Sequence, residues 1–421
     1  MFPHGDSSRF WISGQMNFIE QWHGSFSSPY QGPLSLVPRG ENAFSRVLTL
    51  LTGAELTDYS EVLFQLESAG GHGISGGSGL AGYTNLDVVR NPTLGSTPYV
   101  ARAMLHFIVP LSKNSAEVER TPLSLYTELP QRRLEIRVGK FQLVDFFDLN
   151  SAGSDSHLQF LNFTSDNNGA YDYAADTRGY TIGALFDYED HAWGVRFAEA
   201  LMPRVANGID LQWNLSRARS ENTELEWRKG LLPHRGGVLR LLSYVNHANM
   251  GDYRIAIEQF ERGQTTVPDI TDHPLQTTVK YGFGANLEQS LNSSLTAFGR
   301  FGWNEGRHET FAFTEVDQAI STGVVAKGKK WRRKQDRAGI AASANALSGD
   351  HRRYLALGGK GFMLGDGGLN YRREKIFEVF YTMHLWRGVF GAFDLQHVNN
   401  PGYNRDRGPV LVPAVRLHLD L

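Results

Sequence analysis

The feature that most constrains the fold is an alternation of apolar and polar residues that recurs along the chain with a period of two. In the segment 277–288, Val279, Tyr281 and Phe283 fall on one face of an extended strand and Lys280 falls on the other. The alternation lasts for about ten residues at a time, which is the strand length that crosses a bilayer at a tilt. The pattern therefore predicts membrane strands with one face toward hydrocarbon and the other toward water.

Two further segments repeat the pattern, and we expect their apolar faces to lie against lipid. Residues 98–110 place Arg102 and His106 on the polar face, and residues 177–188 place Asp187 there. The apolar residues expected on the outer face are Tyr99, Ala101, Ala103, Leu105, Phe107 and Val109 in the first segment, and Tyr180, Ile182, Ala184, Phe186 and Tyr188 in the second.

The same pattern predicts about sixteen strands, an even number as a closed single-chain barrel requires. Tight connections alternate with long ones, which indicates short periplasmic turns and long extracellular loops. The segment 111–132 is the exception, because it is long where a periplasmic turn should be short. The predicted strands are residues 10–24, 43–57, 60–70, 98–110, 133–142, 177–189, 191–202, 222–231, 237–249, 275–289, 292–304, 312–326, 335–347, 372–385, 388–399 and 411–421.

The predicted fold class is all-β: one closed antiparallel transmembrane β-barrel that comprises residues 1–421 as a single domain. The last strand ends at Leu421 and must pair with the first strand, because an unpaired edge of that length would invite aggregation. The N-terminus shows no signal-peptide pattern, and we expect it to be a mature or trimmed one.

Composition excludes several other classes of protein. No apolar run reaches eighteen residues and the mean hydropathy is -0.34, which excludes a helical membrane protein. Aromatic residues make up 12% of the chain, as interfacial girdles require, and the 45 glycines suit tilted, curved strands. The absence of cysteine excludes thiolate chemistry, and a net charge of -2 gives no reason to expect a nucleic-acid partner.

No motif indicates catalysis or a cofactor, so the chain is not expected to be an enzyme. The 14 histidines are scattered and are interpreted as wall, girdle or loop residues. Asp166, Asn167, Asn168 and Asp172 offer oxygen ligands to a loop Ca²⁺ but lack the spacing of a calcium loop. The basic run within 327–334 is interpreted as a solvated periplasmic turn, and a polyanion-binding patch is the alternative.

In a pore, the inward polar face carries the function. A wall that passes neutral, polyhydroxylated sugars needs planar donors and carboxylate or amide acceptors, without a deep binding minimum. The candidate pore-lining residues on predicted polar faces are Arg102, His106, Glu135, Arg137, Arg178, Arg196, Arg300, Asp394 and Gln396.

From about Gly14 to its end, the chain resembles the carbohydrate-selective porin family of the OprB type. The motifs that carry the resemblance are Gly365-Asp366-Gly367-Gly368-Leu369-Asn370-Tyr371, Glu378-Val379-Phe380-Tyr381, the run from Asp394 to Asn404, and Arg407-Gly408-Pro409 followed by Arg416. The resemblance implies a sixteen-stranded outer-membrane barrel that passes monosaccharides such as glucose. It also implies constriction by inward-folded loops at 71–97 and 143–176. One departure is Leu421, where outer-membrane barrels usually end on an aromatic residue.

The sequence therefore predicts an integral bacterial outer-membrane porin for the passive diffusion of small carbohydrates. A general or anion-preferring porin is the first alternative, favoured if the constriction holds more arginine than carboxylate. An outer-membrane enzyme acting on lipid or glycan, and a soluble β-rich carbohydrate-binding protein, are the others. The expected partners are sugars in the pore, outer-membrane lipid with lipopolysaccharide, and two further copies of the chain in a homotrimer.

Overall fold

A computed structural model describes residues 8–87, 94–232 and 234–421, in which sixteen antiparallel strands close into one barrel. Two further strands, β5 and β6, pair only with each other. The helices are α1 (Phe163–Asp166), α2 (Tyr253–Glu261) and α3 (Gly349–Ala356). The strands are β1 (Phe10–His23), β2 (Glu41–Thr57), β3 (Ser60–Gly71), β4 (Tyr99–Pro110), β5 (Ser115–Glu117), β6 (Glu128–Pro130), β7 (Arg133–Phe141), β8 (Thr181–Glu189), β9 (Trp193–Ala200), β10 (Arg219–Trp227), β11 (Gly237–Ala248), β12 (Thr278–Asn292), β13 (Leu295–Asn304), β14 (Gln318–Lys327), β15 (Arg337–Ala346), β16 (Glu374–Trp386), β17 (Val389–Asn399) and β18 (Val410–Asp420).

The sixteen predicted strands each overlap one barrel strand, because the period of two is the period of the pleat. On β12, Val279, Tyr281 and Phe283 are 44%, 51% and 47% exposed on the outside of the barrel, whereas Lys280 is fully buried inside. The prediction of a closed antiparallel barrel is confirmed. No helix in the described ranges is long and apolar enough to span a membrane.

The barrel closes by pairing β1 with β18 over seven residue pairs, from Gln15 opposite Asp420 to Gln21 opposite Ala414. Leu421 continues this edge, since its backbone N–H donates to the carbonyl of Gly14 (2.7 Å). Leu421 is therefore held by the first strand through its backbone.

For the first residues of β4, the prediction that Tyr99 and Ala101 lie on the outer face is wrong. The register against β3 shifts between Gln65 and Leu66, which face Arg102 and Val100, so Ala101 is the extra residue of a bulge. A bulge exchanges the two faces of a strand, and Ala101 is therefore fully buried. Tyr99 also faces inward, whereas Leu105, Phe107 and Val109 beyond the bulge are exposed outside as predicted.

Tyr180 is a second correction. It precedes β8 and is only 2% exposed, because a tight turn directs its ring into the barrel. In this turn Gly179 has φ +99° and the Asp176 carboxylate accepts a hydrogen bond from the Tyr180 backbone N–H (3.1 Å). Phe186, further along β8, is 42% exposed on the outside as predicted.

The two ends of the barrel differ in the length of their connections. At one end, called the turn end, short hairpins join β2 to β3, β8 to β9, β12 to β13 and β16 to β17. The basic run 327–334 also lies in a turn-end connection, where Arg333 donates to the His384 carbonyl (2.8 Å). The opposite end, called the loop end, carries the long connections. The longest joins β7 to β8 and consists of residues 142–180, called the inner loop.

The exceptional segment 111–132 contains the small β5–β6 ladder and folds against the turn end of the barrel. Leu125 is fully buried, and its backbone N–H donates to Glu61 Oε2 on β3 (2.8 Å). The ring of Tyr126 lies 6.1 Å from that of His106 on β4. The segment therefore covers the inner wall beside β3 and β4 at the turn end.

Candidate permeation site inside the barrel

The inner loop does not project from the barrel but lies inside it, along the inward faces of β10 to β18, called the anchored wall. Arg300 on β13 donates from Nη1 to the carbonyls of Gly153 (2.9 Å) and Ser165 (3.1 Å). Arg416 on β18 donates to the carbonyl of Gln159 (3.0 Å). Basic side chains of the wall thus satisfy backbone carbonyls of the loop that water would otherwise bind.

Other residues of the anchored wall bind further along the inner loop. Glu378 on β16 accepts hydrogen bonds from the backbone N–H groups of Leu161 (2.6 Å) and Asn162 (3.0 Å). Lys280 on β12 forms a buried ion pair with Asp172 (3.3 Å). The loop is therefore tied to strands on more than half of the barrel circumference.

A side chain of the inner loop approaches the backbone of β13 closely enough to require glycine there. A Cβ built on Gly302 would lie 1.9 Å from Oδ1 of Asn168 in the inner loop, which is far inside van der Waals contact. Gly299 lies three residues earlier on β13, and a Cβ there would meet nothing closer than 3.9 Å. Of these two glycines of β13, Gly302 is the one that leaves room for the inner loop.

Arg300 also forms an ion pair with Asp148 of the inner loop (2.9 Å). Burial raises the pKa of Asp148 above its usual value, although the Arg300 guanidinium opposes the shift. Burial likewise raises the pKa of Asp166 well above its usual range. These carboxylates are enclosed parts of the loop anchorage.

A cavity of about 190 Å³ remains between the inner loop and the inward faces of β1 to β4, called the cavity wall. Aromatic, amide and charged side chains surround it together. Its aromatic residues are Tyr99, Tyr173, Tyr180 and Phe313, its amides are Gln15, Gln65, Gln142 and Asn167, and its charged or titratable residues are Glu67, Asp87, Arg102, His157 and Arg178.

Glu67 organises one side of this cavity. It accepts hydrogen bonds from the hydroxyls of Tyr180 (2.9 Å) and Tyr99. The guanidinium carbon of Arg178 lies 3.8 Å from the centre of the Tyr99 ring, a cation–π contact. Nη1 of Arg178 is buried and has no hydrogen-bond partner among the described residues, and the residue itself lines the cavity.

Arg102 is matched by a carboxylate of the inner loop. Its Nε donates to Asp145 Oδ2 (2.7 Å), and its Nη2 also contacts Gln142 Oε1 (3.2 Å). This pair joins the beginning of the inner loop to β4. Because Asp145 neutralises it, Arg102 offers hydrogen-bond donors to the cavity without a large net positive field.

Of the nine candidate pore-lining residues, Arg102 and Arg178 lie at the cavity. His106, Glu135 and Arg137 lie together nearer the turn end, away from it. His106 is fully buried, and its Nε2 is 2.9 Å from Glu135 Oε2, which also binds Arg137 Nη2 (2.5 Å).

The other four candidates also lie away from the cavity. Arg196 is buried among four carboxylates, and Arg300 anchors the inner loop as described. Gln396 donates to the Thr84 carbonyl (2.9 Å), and Asp394 accepts from Gln396 (3.1 Å). The four carboxylates around Arg196 are Asp187 (2.9 Å), Glu189 (3.0 Å), Glu224 (2.8 Å) and Glu226 (3.2 Å).

Sequence reasoning missed Glu67, Asp87 and His157. Glu67 shares the inward face of β3 with Gln65, so the alternation could have identified it. Asp87 and His157 lie in connections, where no periodicity marks an inward side chain. Of the two predicted constricting segments, 143–176 lies within the inner loop and 71–97 supplies Asp87, while residues 88–93 lie outside the described ranges.

The carboxylates considered for Ca²⁺ have other partners. Asp166 Oδ1 accepts a hydrogen bond from the Asp155 backbone N–H (2.8 Å), and Asp172 Oδ1 accepts one from the Ala312 backbone N–H (2.8 Å). Within the described ranges, no group of three or more His, Cys, Asp or Glu side chains is arranged to hold a metal ion.

Comparison with known proteins gives a family and a fold. Residues 64–421 match the model of the family described as "Carbohydrate-selective porin, OprB family". The high-pH structure of Pseudomonas putida OprB is similar with a TM-score of 0.73 and 14% identity, covering 98% of this chain and 94% of that one. The Acinetobacter baumannii outer membrane channel DcaP gives a TM-score of 0.53 with 9% identity, covering 98% of this chain and 97% of that one. No curated protein sequence matches the chain.

Proposed function

Because the chain belongs to the carbohydrate-selective porin family OprB, we propose that it carries small neutral sugars, such as glucose, by passive diffusion. The protein is an integral outer-membrane porin and a non-enzymatic channel. The alternatives of an outer-membrane enzyme and of a soluble carbohydrate-binding protein are therefore wrong. The identity of the sugar is the proposed part.

The observation that carries the sugar proposal is the mixture of groups around the cavity. A monosaccharide presents C–H faces that pack on aromatic rings and hydroxyls that need both donors and acceptors. Tyr99 and Tyr180 supply rings, Arg178 supplies a planar guanidinium, and Glu67 supplies carboxylate oxygens. These groups would replace part of the water that a sugar loses on entering a narrow passage.

The same contacts keep binding shallow, as transport requires. Glu67 already accepts hydrogen bonds from two tyrosines, and Arg102 already binds Asp145. A sugar hydroxyl at either group competes with an existing partner, so each new hydrogen bond gives about 1 kcal/mol or less. Entry is then favourable while exit stays fast.

The charge balance argues against an anion-preferring pore. Among the described residues that line the cavity, the two arginines, Arg102 and Arg178, are matched by the two carboxylates of Glu67 and Asp87. The condition that would favour an anion porin, more arginine than carboxylate at the constriction, is not met there. A general small-solute porin is distinguished from a sugar porin by measurement.

Swelling of liposomes that contain the purified protein tests the proposal. We expect fast swelling in glucose, slower swelling in sucrose, and a glucose-dependent decrease in single-channel ion current. Arg178→Gln should reduce the effect of glucose on current by about fivefold, as the loss of one charge-assisted hydrogen bond implies. Arg204→Gln, at an exposed loop position, is the matched control, and it should leave both the swelling rates and the effect of glucose on current unchanged.

Equal swelling rates for all solutes of similar size, with no effect of glucose on current, would overturn the sugar proposal and leave a general porin. Assembly as a homotrimer stays a prediction, and native mass spectrometry in detergent tests it.

A further inference from the structure

An exposed cationic cluster lies at the loop end of the barrel, away from the cavity. Arg372 and Arg373 directly precede β16, Lys375 is its second residue, and Arg405 lies on the next loop-end connection; together they are called the outer cationic rim. All four are exposed. Nothing in the proposed permeation path uses them.

The strand pattern fixes the direction of the Lys375 side chain. Glu374 and Ile376 are buried on the inside of β16, so Lys375 between them faces outward. Its partners across the sheet are Ala344 on β15 and Asn399 on β17, both uncharged. No cross-strand neighbour therefore neutralises the Lys375 ammonium.

An apolar surface begins directly beneath the rim. Phe377, two residues below Lys375 and on the same face, is 44% exposed, and Leu395 and Phe393 on β17 are 38% and 59% exposed. At about 3.3 Å per residue, the rim stands roughly 7 Å above this band. In an outer-membrane barrel whose long loops face outward, that height corresponds to the headgroups of the outer leaflet.

Backbone hydrogen bonds hold the rim in place. Arg372 N–H donates to the Tyr403 carbonyl (2.8 Å), and Arg405 N–H donates to the Asn370 carbonyl (3.0 Å). These two bonds flank the bridge between Tyr371 and Asn404, so Arg372 and Arg405 lie diagonally from each other on adjacent segments.

The rim lacks counter-ions that a comparable position has. The side chains of Arg372, Arg373 and Lys375 form no ion pair with a described residue, and Arg405 has only Asp406, at 3.9 Å. At the loop end of β10, by contrast, Arg219 is paired with Glu221 at 2.6 Å. The cations at β16 are therefore available to an external anion.

We propose that the outer cationic rim binds the phosphate groups of an outer-leaflet glycolipid of the lipid A type. Guanidinium groups bind phosphate oxygens in bidentate fashion and an ammonium adds a point charge. The acyl chains of the same molecule would lie along Phe377, Phe393 and Leu395. A free phosphate would contact only the outer cationic rim. A phosphorylated lipid would contact both the rim and the apolar residues below it.

Titration of the detergent-solubilised protein with bisphosphorylated lipid A, followed by native mass spectrometry, tests the proposal. Each cation near anionic lipid is worth about a fivefold change in affinity, so the triple variant Arg372→Gln, Arg373→Gln, Lys375→Gln should bind at least tenfold more weakly. Arg219→Gln is the matched control, because the Arg219 guanidinium is already paired with Glu221. The affinity of this variant for lipid A should stay within twofold of the wild-type value. Dephosphorylated lipid A should bind the wild-type protein as weakly as the triple variant binds lipid A.

Three results would overturn the proposal. These are an unchanged affinity of the triple variant, an equal loss in Arg219→Gln, or displacement of lipid A by inorganic pyrophosphate at equal concentration, which would indicate a site for soluble anions. The triple variant is folded if its heat-modifiable migration in gel electrophoresis and its single-channel conductance equal those of the wild-type protein. If the triple variant does not fold, Arg372→Gln and Arg373→Gln are measured singly, and an affinity unchanged in both overturns the proposal.

Discussion

The two sides of the inner loop use similar side chains for different purposes. On the anchored wall, Arg300 donates hydrogen bonds to loop carbonyls and forms an ion pair with the Asp148 carboxylate, and it is only 3% exposed. On the side that faces the cavity wall, Arg178 of the inner loop packs on the ring of Tyr99 of β4 and lines the cavity. One arginine holds the loop, while the other faces the space that the loop leaves.

The difference shows that an inward polar side chain does not by itself mark a selectivity residue. What decides its role is whether the inner loop already occupies its hydrogen-bonding capacity. We propose that the anchored wall sets the size of the passage by fixing the loop, and that the cavity wall sets which solute passes. The two walls can therefore be perturbed separately.

The largest effect is expected from Arg300→Leu, which breaks the anchored wall. Removing one partner of a buried pair leaves Asp148 uncompensated and costs about 3–5 kcal/mol. The inner loop should detach, so single-channel conductance should rise and the discrimination between glucose and sucrose should fall.

Arg228→Leu is the matched control for this variant, because Arg228 binds Glu226 of β10 (2.7 Å) and forms no ion pair with a described residue of the inner loop. It should lower the unfolding temperature without raising conductance. An Arg300→Leu channel with wild-type conductance would contradict the assignment of the loop to the anchored wall.

A pH dependence should appear at the loop end above the anchored wall. Burial raises the pKa of Glu309 to about 7, although the Gly251 N–H bond and Lys280 oppose the shift. Between the ordinary glutamate pKa and about 7, the folded loop keeps a proton that the unfolded chain releases, so stability falls as pH rises through this window. The loss is about 3 kcal/mol at most.

Hydrogen exchange of the amides around Gly251, corrected for intrinsic rates, measures this loss of stability between pH 4 and pH 8. Glu309→Gln should remove the dependence and leave protection at its low-pH value. Protection that increases with pH in the wild-type protein would show that the sign is wrong.

A smaller effect is expected from Gly302→Ala, which presses on the inner loop from the anchored wall. The new Cβ would overlap Asn168, and overpacking of this kind costs about 1–3 kcal/mol. Displacement of the loop toward the cavity wall should reduce conductance, the opposite of the Arg300→Leu result. Gly299→Ala on the same strand has room for its methyl group and should leave both conductance and unfolding temperature unchanged.

The smallest effect is expected from Glu67→Gln, which alters the cavity wall alone. Removing one carboxylate from the balanced set should shift the permeability ratio toward anions by about fivefold, since a unit charge a few ångströms away in water is worth about 1 kcal/mol. Reversal potentials in a salt gradient measure this ratio. Glu61→Gln on the same strand, away from the cavity, should not shift it, and equal shifts in both variants would remove the distinction between the two positions.

The barrel could be predicted because its period is local. Phe283 and Lys280 lie only three residues apart, and their apolar and charged side chains already indicate which face of β12 is outside and which is inside. Tyr99 could not be placed in the same way, because the bulge at Ala101 depends on how β4 pairs with β3. Tyr180 was misplaced for a related reason, since the strand begins only after its ring has turned inward.

The candidate site was less predictable because it is made by a loop. Arg102 and Arg300 both alternate with apolar residues, and only the position of the inner loop separates a cavity residue from an anchor. Asp87 and His157 reach the cavity through contacts far apart in sequence. The ring of His157, for example, lies 5.2 Å from that of His418 on the last strand.

The most direct test of the two-wall account uses the absence of native cysteine, which makes an introduced thiol the only one in the chain. Asn167 lines the cavity, while Ser165, two residues earlier in the inner loop, is fully buried toward the anchored wall. A water-soluble thiol reagent should label Asn167→Cys and block most of its single-channel current, and it should leave Ser165→Cys conducting. Block of Ser165→Cys with no effect on Asn167→Cys would place the passage on the other side of the loop and contradict the account.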